Sequence, residues 1–85
     1  MNAPTITNAA RAGILCNDPR FQQFVGVRLG LPAPANNSAA AEYIRDLCRI
    51  PSRRALDYNA AALDQFERIR TEFDAWSGRI AAPRD

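Results

Sequence analysis

The stretch AAALDQFERIRTEFDAWSGR (60–79) decides the fold, because its apolar residues recur at the spacing of an α-helix. One helical face carries the residues that are three or four positions apart: Leu63, Phe66, Ile69, Phe73, Trp76 and, one position beyond the stretch, Ile80. The opposite face is charged, and Asp64 and Arg68 stand at i and i+4 in the favourable order for an ion pair. We therefore predict a long amphipathic helix over residues 60–79, with its apolar face in the core.

Two short helices are predicted at the start of the chain, over residues 8–16 and 19–29. Thr7 or Asn8 can cap the first helix, since a short polar side chain accepts a hydrogen bond from the free amides of the first turn. Asp18 is expected to cap the second helix, and the proline that follows it suits the first helical position. The first helix has a narrow face of small residues, made of Ala9, Ala10, Gly13 and Ile14, and Gly13 is expected to let another backbone come close.

A linker over residues 30–38 precedes the third predicted helix, which covers residues 39–49. The prolines of the linker exclude regular helix there, and Ser38 is expected to cap the helix that follows. The helix has an apolar face made of Ala40, Ala41, Ile44, Leu47 and Cys48. Ser52 can then cap a short helical turn before the last helix.

The predicted fold class is all-α, because no segment alternates polar and apolar residues with the period of a strand. We expect a small bundle of about four helices with a long C-terminal helix. The four helices are expected to form a single helical domain over residues 1–85.

The composition argues against an enzyme. All 11 basic residues are arginine, so the chain lacks histidine, the usual general base, and lysine, the Schiff-base nucleophile. No glycine-rich phosphate loop is present, and no cofactor is predicted. The acidic side chains of the last helix are interpreted as a solubilising surface. The net charge of +2 is weak evidence for nucleic-acid binding.

The two cysteines, Cys16 and Cys48, are expected to be small buried residues, although a disulfide between them stays open. Two cysteines without a histidine do not make an ordinary zinc site, so no metal is predicted. The sequence has neither an apolar run long enough to span a bilayer nor the pattern of a signal peptide. We therefore expect a cytoplasmic protein.

Four arginines form the best candidate for a binding site, and we call Arg45, Arg49, Arg53 and Arg54 the arginine cluster. Arg45 and Arg49 share one face of the third helix, and Arg53 and Arg54 begin the next turn. Such a surface can contact phosphates or an acidic protein surface. In the alternative interpretation, Arg45 and Arg49 form weak surface ion pairs with acids of the same helix or of the last helix.

Two tyrosines, Tyr43 and Tyr58, lie off the main apolar stripes and are predicted to be exposed partner contacts. The remaining aromatic residues have helical spacing and are predicted to lie in the core: Phe21, Phe24, Phe66, Phe73 and Trp76.

Three segments together resemble a helical module of small phage and prophage proteins that are encoded near recombination and replication genes: RAGILCNDPRFQQFV (11–25), AAEYIRDLCRIPSRRALD (40–57) and FERIRTEFDAW (66–76). The matching positions are Leu15, Cys16, Asp18, Pro19, Phe21, Phe24, Ala40, Ala41, Ile44, Cys48, Ser52, Arg53, Leu56, Phe66, Phe73 and Trp76. Most of them are caps and core, so the resemblance implies the fold more than the function. Arg53 is a polar match that capping does not explain, and Arg49 stands where the family usually has glycine.

The resemblance implies a phage-encoded protein in the cytoplasm of a bacterial host. Short phage proteins that bind other proteins are often inhibitors of host defence, including anti-CRISPR proteins. By this analogy, the leading hypothesis is a binding protein that engages a protein complex handling nucleic acid. One alternative is an accessory protein of phage recombination or replication that binds DNA directly. Another is a structural or oligomerising helical module.

Overall fold

The computed structural model describes residues 6–78, which form four α-helices and one 3-10 helix. The elements are α1 (Asn8–Cys16), α2 (Pro19–Arg28), α3 (Asn37–Cys48), the 3-10 helix (Arg53–Asp57) and α4 (Ala60–Trp76). No strand occurs among the described residues. The predicted all-α fold class, a small bundle with a long C-terminal helix, is therefore confirmed.

Each helix begins at a side chain that accepts a hydrogen bond from its first turn. Thr7 caps α1 through Ala10 N–H at 3.0 Å, and Asp18 caps α2 through Arg20 N–H at 2.8 Å. Ser52 caps the 3-10 helix, as the sequence predicts, and Asn59 caps α4.

The start of α3 differs from the prediction. Asn36 accepts from Ala39 N–H at 2.8 Å and caps the helix, so Ser38 lies inside the first turn. Asparagine is as good a cap as serine, and it stands two residues earlier, so α3 gains residues that we assigned to the linker. At the other end of the chain, α4 stops at Trp76, and residue 79 and Ile80 lie outside the described residues.

The core is built from aromatic and aliphatic side chains that all four α-helices and the 3-10 helix contribute. Its largest fully buried side chains are Phe21, Phe24, Val25, Ile44, Leu56, Phe66, Ile69, Phe73 and Cys16. Phe73 of α4 meets Phe21 edge-on at 5.3 Å between ring centroids and Phe24 at 5.6 Å. The prediction that Phe21, Phe24, Phe66 and Phe73 lie in the core is confirmed, because all four are buried. Burial of each ring stabilises the fold by about 2–3 kcal/mol.

Both α1 and α4 pack against the same two elements, α3 and the 3-10 helix. Asp57, at the end of the 3-10 helix, accepts a 2.7 Å hydrogen bond from Asn8 N–H at the start of α1. The linker returns along α2, where Ala35 N–H donates to Gln22 O at 3.0 Å.

Three sequence predictions about burial are wrong. Trp76 is 40% exposed, because it ends α4 and only part of its ring packs, on Phe24 and Phe73. Leu47 is also exposed, since it lies at the edge of the apolar face of α3. In α1 the buried residues are Ala12 and Cys16, and none of the four residues of the predicted small-residue face is buried; Ala10 and Ile14 are exposed.

Candidate functional site

The arginine cluster lies where α3 ends and the 3-10 helix begins. Arg49 N–H donates to Asp46 O at 3.3 Å and Ile50 N–H donates to Arg45 O at 3.0 Å, which closes the C-terminus of α3. Ile50 is buried and anchors the short connection. The 3-10 helix then starts at Arg53, so the four arginines stand at the end of one element and the start of the next.

Arg49 has a left-handed backbone, with φ 59° and ψ 49°. A residue in this conformation at a helix C-terminus is usually glycine, because a Cβ crowds the following carbonyl oxygen. The cost for a residue with a side chain is about 1–2 kcal/mol. Arg49 is exposed, and it occupies a position where the backbone conformation favours glycine.

Arg53 and Arg45 are half-buried, whereas Arg49 and Arg54 are exposed, and the Arg53 guanidinium faces α1. The Arg53 guanidinium lies near the Cys16 thiol, and its Nη1 lies 3.9 Å from where a Cβ on Gly13 would be. Burial raises the pKa of the Cys16 thiol, and the positive charges of Arg53 and Arg45 oppose that rise. Both guanidiniums therefore lie near the end of α1, and Arg53 links α1 to the 3-10 helix.

No member of the arginine cluster forms an ion pair with any acid among residues 6–78. Arginines elsewhere in the described part of the chain do form ion pairs: Arg11 and Arg70 with Glu67, Arg28 with Glu72, and Arg68 with Asp64. The Asp64–Arg68 pair is the one predicted from the sequence, at 3.7 Å. The alternative interpretation, in which Arg45 and Arg49 are neutralised by neighbouring acids, is thus not supported within the described part of the chain.

The two tyrosines behave differently from each other. Tyr58 is 79% exposed and directly follows the 3-10 helix, close in sequence to Arg53 and Arg54. Tyr43 is half-buried, and its ring meets Phe24 edge-on at 6.5 Å. Burial raises the pKa of Tyr43, and the nearby Arg28 lowers it. The prediction of Tyr43 as an exposed contact is therefore wrong in part, because its ring completes the aromatic core.

Tyr43 is also separate from the arginine cluster. On a helix with 100° per residue, position 43 lies about 160° from position 45, so Tyr43 and Arg45 are on different sides of α3. The four arginines and Tyr58 follow one another along the chain over residues 45–58, from the last turn of α3 to the end of the 3-10 helix, and Tyr43 lies on another side of α3.

The acidic face of α4 is largely engaged in ion pairs. Glu67 lies 3.6 Å from both Arg11 and Arg70, and Thr71 donates its hydroxyl hydrogen bond to Glu67 O at 3.0 Å. Within residues 6–78, no group of three or more potential metal-ligating side chains occurs. Cys16 and Cys48 are both free and buried in that same region.

Sequence reasoning missed one surface, a groove between the end of α2 and α3. Its lining residues are Leu29, Ala39, Glu42, Tyr43, Asp46 and Leu47. The exposure of Leu29 and Leu47 could not be read from the periodicity of either helix, since each leucine fits an apolar stripe. The groove exists because α2 and α3 pack side by side.

Comparisons with known proteins gave no relative: no family model matches the sequence, and no curated protein or solved structure is significantly similar to it. Among the described residues, no helix is both long enough and apolar enough to cross a membrane.

Proposed function

We propose that this chain is a non-catalytic, phage-encoded binding protein whose arginine cluster docks on an acidic surface of a protein complex that handles nucleic acid. The observation that carries the proposal is the grouping of four guanidiniums at one end of α3, none of which is paired with an acid among residues 6–78. Such charges are available to a partner, and they steer its approach as well as fixing its orientation.

The chemistry of the arginine side chain supports a protein partner. A guanidinium offers five donors in a planar fork and binds a carboxylate with two parallel hydrogen bonds. Arginine and tyrosine are also the side chains enriched in interface hot spots, and exposed Tyr58 follows the arginines. The resemblance to phage modules extends the proposal to a biological role, the inhibition of a host defence in the manner of anti-CRISPR proteins.

The test replaces Arg45, Arg49 and Arg54 together by glutamine and leaves Arg53, which is half-buried against α1, in place. The matched control replaces Arg20, Arg68 and Arg70 by glutamine and removes the same charge from other surfaces. Each protein is used for a pull-down from host lysate, with and without nuclease, followed by quantitative mass spectrometry. We expect a partner that survives nuclease treatment and is retained at least about tenfold less by the first variant than by the control.

The inhibitory role has its own test in phage plating on a host that carries CRISPR immunity. Expression of the wild type and of the control variant should raise the plating efficiency of the targeted phage, and the Arg45, Arg49 and Arg54 variant should not. Equal binding and equal protection by all three proteins would exclude the arginine cluster as the binding site.

Direct DNA binding is the second candidate function, and the same unpaired guanidiniums favour it because they can contact phosphates. The affinity for a short duplex would then fall with salt, with a logarithmic slope of about −0.9 for each phosphate contacted. A duplex that binds with such a slope, and a lysate partner lost on nuclease treatment, would favour this candidate over the protein complex.

A further inference from the structure

The groove between α2 and α3 is a second candidate interaction surface. It adjoins the arginine cluster, because Asp46 and Leu47 also line a hollow together with Arg49. Its volume is about 350 Å³, and its floor is apolar. Leu29 is 49% exposed and Leu47 is 41% exposed, so two large apolar side chains of the same groove face solvent. Single exposed leucines are ordinary, but a contiguous apolar surface with a polar rim is typical of an interaction site.

Helical geometry explains the composition of the groove. Ala39, Tyr43 and Leu47 follow one another at i and i+4, so they form one row along α3. Glu42 and Asp46 form the adjacent row with the same spacing and make an acidic rim. Leu29, directly after α2, lines the groove with these rows.

The charges around the groove indicate what binds there. Neither Glu42 nor Asp46 forms an ion pair with an arginine among residues 6–78. Arg28, which lies close to Tyr43, is already paired with Glu72 at 3.1 Å. The rim therefore keeps two negative charges that a basic partner would neutralise.

A second copy of this chain is a poor occupant. In a twofold dimer the same surface serves both subunits, so the acidic rim of one groove would meet the acidic rim of the other. Like charges placed together at an interface disfavour the contact. A segment with positive charges beside its apolar residues meets the rim with complementary charge.

We propose that the groove binds an amphipathic helical segment of a partner protein, with two apolar side chains one helical turn apart and lysine or arginine beside them. The apolar pair fills the space between Leu29 and Leu47, and the basic side chains reach Glu42 and Asp46. This is helix-in-groove recognition, in which anchors at i and i+4 face a groove of matching length.

The probes are two synthetic helical peptides of about four turns that share the same leucine pattern. One peptide carries arginine beside the leucines, and the other carries glutamate. Amide chemical shifts of the full chain, recorded by NMR during titration, locate the binding site. We expect the basic peptide to shift Leu29, Tyr43 and Leu47 in a saturable way, more weakly as salt increases, and the acidic peptide to leave them unchanged.

Two variants test the groove itself. Replacing Glu42 by glutamine and Asp46 by asparagine keeps the surface shape and should weaken the basic peptide about tenfold. Leu47→Ser should weaken it at least as much, while Val27→Ser, an exposed change outside the groove, should have no effect. Thermal unfolding of each variant establishes that it remains folded.

The proposal is overturned if neither peptide shifts the groove amides, if both peptides bind equally, or if the shifts map to another surface such as the acidic face of α4. It is also overturned if light scattering finds a dimer that Leu47→Ser dissociates, since the occupant would then be a second copy. None of these outcomes depends on whether the arginine cluster binds its own partner.

Discussion

Arg49 occupies a position where stability and surface chemistry favour different residues. Its backbone is left-handed, and its N–H closes the C-terminus of α3. Glycine adopts this conformation without crowding, although it also gives the unfolded chain more freedom. Strained positions of this kind are often found at functional sites, and Arg49 lies within the arginine cluster.

We predict that Arg49→Gly raises the free energy of unfolding by about 0.5–1 kcal/mol, because relief of the left-handed strain exceeds the entropy that glycine adds to the unfolded state. Urea unfolding measures the change. Arg49→Ala is the control, since it removes the same charge but keeps a Cβ, and it should not stabilise the protein. Equal stabilisation by both substitutions would instead point to relief of charge repulsion within the arginine cluster.

At the scale of the helices, periodicity located the elements better than it located their buried faces. The long stripe of α4 predicts Phe66, Ile69 and Phe73 as core, and all three are buried. It fails at Trp76, because the last turn of a helix has fewer neighbours than its middle. In α1, several small residues fit a buried face, and contacts with the 3-10 helix, distant in sequence, select Ala12 and Cys16.

Two helical glycines have opposite surroundings, which the sequence does not reveal. Gly26 of α2 faces the returning linker, and a Cβ there would lie 2.7 Å from Ala33 O. Gly13 of α1 has room, since the nearest atom to a Cβ there is Arg53 Nη1 at 3.9 Å. The expectation that Gly13 lets another backbone come close is therefore wrong, because the close approach between backbones occurs at Gly26.

We predict that Gly26→Ala lowers the free energy of unfolding by about 1–2 kcal/mol, because overpacking against a backbone carbonyl outweighs the better helix propensity of alanine. Gly13→Ala is the matched control, and it should raise the free energy of unfolding by about 0.5–1 kcal/mol through propensity alone. Chemical denaturation of both variants gives the two values. The same sign for both substitutions would contradict this account of α2 and its linker.

At the scale of the whole molecule, α3 carries two adjoining surfaces of different chemistry. The arginine cluster lies at the C-terminal end of α3 and beyond it, and the acidic-rimmed groove lies beside it, where Asp46 and Leu47 also line a hollow with Arg49. The arginines could be grouped from the sequence because a short connection joins α3 to the 3-10 helix. The groove could not be predicted, because Leu29 and Leu47 become neighbours only when α2 packs against α3.

The two buried thiols are expected to lower the free energy of unfolding of the whole protein as the pH becomes alkaline. Burial raises the pKa of Cys16 and of Cys48 above the ordinary value of 9.0, which the unfolded chain keeps. Above that pH the unfolded chain loses thiol protons that the folded chain retains, so unfolding becomes easier. The thiol contribution is therefore complete below 9.0 and is lost as the pH rises through the folded-state pKa values.

We predict that the free energy of unfolding is nearly constant from about pH 7.5 to 8.5 and then falls as the pH approaches about 9.5. Tyr43, whose pKa is raised above 10.0 mainly by burial, adds to the fall at higher pH. Urea unfolding across this range measures the curve. Replacing Cys16 and Cys48 by alanine should lower the whole curve, because packing is lost, and flatten it up to about pH 9.5. An equally steep fall in the double variant would mean that groups other than the thiols cause the pH dependence.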